Sequence, residues 1–138
     1  MSYRKECERI EASSKQFDIS KRTERIFRVF LEQVFPDANI SYEAKSFTAI
    51  IDGKEETTVP DFEVVRRDGK TIFIEITKDS RNGADPKERE KRIMEQAASD
   101  VIYIVLYNND LKKIQREHPG FEFFKKDGRR SNKNKNNL

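Results

Sequence analysis

The chain has 138 residues, 35% hydrophobic and 38% charged, which fits one domain with a modest core under a heavily charged surface. The lone Cys7 excludes an internal disulfide and a cysteine zinc site, and the lone His118 argues against a histidine-rich metal site. With no long apolar run and no apolar centre in "MSYRKECERIEASSK", neither a membrane helix nor a signal peptide is expected, and the setting is expected to be reducing and intracellular.

Net charge is +3, unevenly spread. Residues 125–138 hold six Lys/Arg against Asp127, a segment charge of +5, so residues 1–124 carry −2. The division expected is a single domain over 1–125 and a basic, disordered tail over 126–138. Such a tail suits a polyanion partner or serves only as a solubilising end.

Taken in order, Tyr3, Cys7, Ile10 and Phe17 have helix-like spacing. In "DISKRTERIFRVFLEQVF", Ile26, Phe27, Phe30, Leu31, Val34 and Phe35 repeat with period 3.6. This predicts an amphipathic helix over about 21–35, with Ser20 as N-cap and Pro36 as terminator. Three strands follow, at about 40–51, 57–65 and 71–78, the first hairpin loose across "DGKEET" and the second turning at "RRDGK". "DPKEREKRIMEQAAS" reads as a helix with Asp85 as cap, Pro86 as first residue and Glu88 closing a capping box. "VIYIVLY" reads as a strand covered on both faces and parallel to a neighbour. "NNDLKKIQREH" reads as a short helix or turn, and "FEFF" as a last short strand. The fold class is therefore α/β, in the order α-β-β-β-α-β.

Two carboxylates, Asp61 and Glu75, interrupt apolar runs, and burying charge is costly unless something compensates it. A two-residue turn at Asp68-Gly69 sets Asp61 opposite Ile76. A three-residue loop, Arg67-Asp68-Gly69 with Gly69 left-handed, sets Asp61 opposite Glu75. The second register gathers Phe62, Val64, Ile72, Ile74 and Ile76 on one face, a coherent core face. It leaves Asp61, Glu63, Phe73, Glu75 and Thr77 on the other. Opposed like charges repel, so a cation between them is expected, and an oxygen-only donor pair suits Mg²⁺ or Mn²⁺. Glu24 borders the apolar stripe of the first long helix, either as a third carboxylate or as a boundary residue favouring the helix N-terminus.

Pro60-Asp61 followed by Glu75-Ile76-Thr77 across a hairpin, inside this order of elements, resembles the PD-(D/E)xK nuclease superfamily. The likeness spans roughly 20–107 and includes "SKRTERIFRVFL" ahead of the motif. It implies a restriction-endonuclease-like core, a mixed sheet flanked by helices, and metal-dependent phosphodiester hydrolysis. It carries Asp61, Glu75 and the backbone carbonyl of Ile76 over as metal ligands, with Glu24 as a further one. The chain departs from the motif at its lysine, which is Thr77 here. Lys78 comes next but alternates to the other face unless a bulge swings it inward, and Lys91 or Gln96 of the following helix are the other candidates for that role.

Metal-bound carboxylates leave positions open for water and phosphate, and a nearby cation stabilises transition-state charge. Arg66, Arg67 and Lys70 at the hairpin tip, with Arg129 and Arg130 in the tail, are the candidate phosphate contacts. The charged run Lys87 to Arg92 reads mostly as a solvated face. Phe121, Phe123 and Phe124 read as core, His118 as structural and Cys7 as inert. The functional expectation is a Mg²⁺-dependent DNA endonuclease, with a homodimer suited to cutting two strands. The alternatives are an RNA endonuclease, a non-catalytic nucleic-acid-binding domain, and a protein in which Asp61 and Glu75 simply pair with Arg or Lys.

Overall fold

Alternation of apolar and polar residues at 62–65 and 71–76 places the middle of a sheet. The computed structural model describes residues 3–125. Its elements are α1 (Tyr3–Ser14), α2 (Arg22–Val34), β1 (Asn39–Tyr42), β2 (Phe47–Ile51), β3 (Lys54–Thr58), β4 (Phe62–Val65), β5 (Thr71–Ile76), α3 (Glu88–Ala97), β6 (Ile102–Leu106) and α4 (Asn108–Glu117). The fold is mixed α/β. A mixed four-stranded sheet runs in the order β1-β4-β5-β6, and β2 and β3 form a second sheet. β4 is antiparallel to β1 and β5, whereas β6 runs parallel to β5 after the α3 crossover.

The β4–β5 register pairs Phe62 with Ile74 and Val64 with Ile72, as the three-residue loop requires. Gly69 takes the left-handed conformation there (φ 89°), and its N–H donates to the Arg66 carbonyl at 2.9 Å. One face of the sheet buries the five residues gathered by that register. Ile10 of α1, Ile26, Phe27 and Leu31 of α2, Leu111 of α4, and Phe121 and Phe123 cover them. On the other face Phe73 packs beneath Met94 of α3 and its C-cap Ala98, with Phe47 of β2 edge-on to its ring. Each such buried side chain contributes about 1.5–3 kcal/mol. β5 is thus enclosed by a strand on each side and by helices above and below.

Several local expectations need correction. The strand expected at 40–51 breaks at 43–46, where Glu43 is left-handed (φ 49°) and its N–H donates to the Asp61 carbonyl. The strand expected at 57–65 breaks at Pro60, which has no N–H for a ladder. Residues 47–58 therefore leave the main sheet as their own hairpin. Its turn is tight, with Asp52 and Gly53 both at positive φ (51° and 82°), because Ile51 pairs directly with Lys54. The N-cap of α2 is Lys21. Ser20 instead offers its carbonyl to the Arg25 guanidinium at 2.9 Å. α3 begins at Glu88, two residues beyond the expected start, and Asp85 closes the preceding turn by accepting the Lys87 N–H at 2.9 Å.

β6 is an edge strand, and its apolar run is not covered on both faces: Ile102 and Ile104 are exposed. "FEFF" forms no strand: Phe121 and Phe123 fill the core from an irregular segment. Among the described residues no helix is long and apolar enough to cross a membrane. Residues 126–138, with Arg129 and Arg130, lie outside the described residues.

Candidate active-site cleft

β4 and β5 part where Asp61 meets Glu75, and the two carboxylates take over the ladder. Oδ2 of Asp61 accepts the Ile76 N–H at 2.8 Å, and Oε1 of Glu75 accepts the Asp61 N–H at 3.3 Å. Each acid therefore caps the other strand. Oε2 of Glu75 accepts from the Lys87 ammonium at 2.8 Å. Glu24 reaches the same place from the first turn of α2, where the Tyr42 hydroxyl of β1 donates to its Oε1. All three acids are buried. They line one cleft of about 660 Å³ with Ile76, Lys21, Arg22, Lys78 and Lys125.

The electrostatics follow from that crowding. Burial pushes the Asp61 carboxyl up to about 8, and the Glu75 and Glu24 charges push the same way against the Ile76 N–H. Burial also raises Glu75, with Lys87 opposing it. Burial works against the Lys87 ammonium, but Glu75 outweighs it and the pKa of Lys87 is raised. Burial and then the bond to Glu24 hold the Tyr42 phenol well above its usual range.

Lys87 is the residue that sequence reasoning missed. It precedes α3 in a run of charges that reads as a solvated face, yet its Nζ is drawn to Glu75. No local signal in the sequence sets it apart from its neighbouring cations, because its partner Glu75 is brought near only by the fold. Its backbone is fixed by Asp85, whose carboxylate also accepts from the Tyr107 hydroxyl at 2.6 Å and the Lys91 ammonium at 2.8 Å.

The candidates for the missing motif lysine fare accordingly. Lys91 is committed to Asp85, and Gln96 is exposed outside the cleft lining. Thr77 lies past the end of β5, where its N–H donates to the Leu106 carbonyl and its hydroxyl accepts the Asp79 N–H. Lys78 lines the cleft mouth, but its ammonium sits 5.2 Å from the Phe124 ring centroid rather than on the carboxylates.

Arg66, Arg67 and Lys70 sit at the opposite end of β4 and β5, about 15 Å of strand from Asp61. Arg66 pairs with Asp68 and Arg67 with Asp37, and none of the three lines the cleft. His118 meets Phe30 with tilted rings, and the Cys7 thiol, raised by burial, donates to the Pro119 carbonyl.

Among the described residues no three acidic, His or Cys side chains form a ready-made ligand cluster. The donors still fit Mg²⁺, which keeps several waters and takes only one or two carboxylates. Asp61 and Glu75 supply that pair, and the burial that raises Asp61 disfavours its charge while no cation sits beside it. Comparisons with protein-family models, with curated proteins and with solved structures return no match, so no relative's activity bears on the cleft.

Proposed function

We propose that the chain is a metal-dependent DNA endonuclease on a restriction-endonuclease-like core. The observation that carries this reading is the buried Asp61–Glu75 pair at the parted end of two central strands, with the Lys87 ammonium 2.8 Å from Glu75. The likeness of "PDF" and "IEI" to the PD-(D/E)xK motif supports it, and Lys87, bonded to Glu75, is the cation available for the role of that motif's lysine.

Asp61 and Glu75 would hold Mg²⁺ or Mn²⁺, with the Ile76 carbonyl and Glu24 beside them. Such an ion supplies neutralisation of phosphate charge and a more acidic water. Lys87 stays an ammonium at neutral pH because Glu75 raises its pKa. It therefore acts as a proton-bearing donor, orienting water or steadying charge that develops on phosphate, and not as a base. Tyr42 fixes the Glu24 carboxylate by its hydrogen bond. Lys21, Lys78 and Lys125 at the cleft rim supply positive charge for the flanking backbone.

The Lys87–Glu75 contact also favours a second reading, a nucleic-acid-binding domain in which that ammonium takes the ion's place. Supercoiled plasmid and labelled RNA, each incubated with Mg²⁺ or EDTA, separate the two. Plasmid cleavage that needs Mg²⁺ and vanishes in folded Asp61→Ala and Glu75→Ala supports the nuclease. Binding without cleavage supports the second reading, and cleavage of RNA alone changes the substrate. Undiminished cleavage by both variants rejects this site.

A further inference from the structure

Phe124 gathers two cations at one side of the cleft. The Lys78 ammonium lies 5.2 Å from its ring centroid and the Lys112 ammonium 5.7 Å, one from the end of β5 and one from α4. Both ends of the arrangement are fixed. The Gln115 amide clamps the Phe124 backbone, donating to its carbonyl at 3.1 Å and accepting its N–H at 2.9 Å. The Asn108 amide donates to the Lys78 carbonyl at 2.9 Å.

Among the described residues neither lysine has a carboxylate within ion-pair distance; Lys125 has none that close either, though its charge helps hold the Glu11 carboxyl down. The contrast is with α3 and its approach, where Lys87, Arg89, Lys91 and Arg92 all meet acids. Unpaired like charges held together form an anion site. Lys125 lines both the cleft and the neighbouring recess that holds Lys112, Arg116, Glu122 and Phe124, so the two adjoin at that residue.

We propose that Lys78, Lys112 and Lys125, arranged about Phe124, form a phosphate-binding track that takes the duplex DNA backbone on one side of the cleft. This rests on the nucleic-acid reading above and gives it a direction: the strand leaves the carboxylates over Phe124 toward α4. The polyanion is nucleic acid because the track opens into the acidic cleft and because the sequence beyond Lys125 continues with Lys126, Arg129 and Arg130.

The test is fluorescence anisotropy of a short labelled duplex in EDTA, so that nothing is cut, over roughly 50–200 mM salt. The full chain is compared with Lys78→Ala/Lys112→Ala and with Lys54→Ala/Lys113→Ala, a pair of equal net charge on exposed sites outside the track. Thermal melts confirm that each is folded. The track variant should lower the slope of log K against log salt by about 1.8, from two lost contacts at about 0.9 each. The control should keep the full-chain slope. If the full chain binds and the track variant keeps its slope, or both variants lose slope equally, the track is wrong while the cleft proposal stands. If the full chain binds no duplex at any salt, the track falls, and plasmid cleavage in Mg²⁺ still decides the cleft proposal.

Discussion

Asp61→Asn should make the metal-free protein more stable while removing its proposed activity. The Asp61 carboxyl stands at about 8 against an ordinary 3.8, because it is buried beside Glu75 and Glu24. A carboxyl raised on folding binds more protons in the folded state than in the unfolded one, so its stabilising contribution falls as pH rises from about 4 to 8. Integrated to pH 8, that fall is at most roughly 5 kcal/mol, a large share of the 5–15 kcal/mol expected for a domain. Asparagine keeps an oxygen to accept the Ile76 N–H and offers an N–H₂ toward Glu75, so it removes the charge without removing the cap. Urea denaturation in EDTA measures the difference. The variant should gain little at pH 4.5 and several kcal/mol at pH 8, with an unchanged m-value. A variant that is less stable than the parent at pH 8, or changed equally at both pH values, would refute the reasoning that Asp61 is buried at a cost to its charge.

Lys87→Met leaves Glu75 buried without its ammonium, and chemical denaturation should record a loss of about 3 kcal/mol. Cleavage of plasmid in saturating Mg²⁺ should fall roughly 10²-fold. Tyr42→Phe deletes the donor to Glu24 at a cost of about 2 kcal/mol. The Mg²⁺ concentration for half-maximal cleavage should also rise in that variant, and an unchanged value would remove Glu24 from the metal site.

The register of the central hairpin was legible because two local signals agreed. The alternation of Phe62, Val64, Ile72, Ile74 and Ile76 needs one core face, and Gly69 permits the left-handed loop residue that this register demands. From that register alone Asp61 and Glu75 fall on one face. The 47–58 hairpin was not legible as separate, since "ISYEAKSFTAII" carries no Gly or Pro to mark the break at 43–46, where Glu43 turns left-handed. β6 misled for a related reason: an apolar run says nothing about which strand lies at an edge, and Ile102 and Ile104 remain exposed there. Lys87 was hidden because it sits in "PKEREKR", where neighbouring charges look interchangeable. What singles it out is tertiary, the clamp of its N–H by Asp85 and the pull of Glu75 on its ammonium. Arg66 and Arg67 look suited to phosphate by composition, but the same hairpin that joins Asp61 to Glu75 carries its own tip to the far end of the strands.

Titration of Mn²⁺ into the metal-free protein, with free ion followed by electron paramagnetic resonance, tests the central claim most directly. The full chain should take up Mn²⁺ stoichiometrically in the micromolar to millimolar range, and folded Asp61→Asn/Glu75→Gln should leave it free. Mn²⁺ that stays free with the full chain, or that binds the double variant equally well, would contradict a cation site between these two carboxylates.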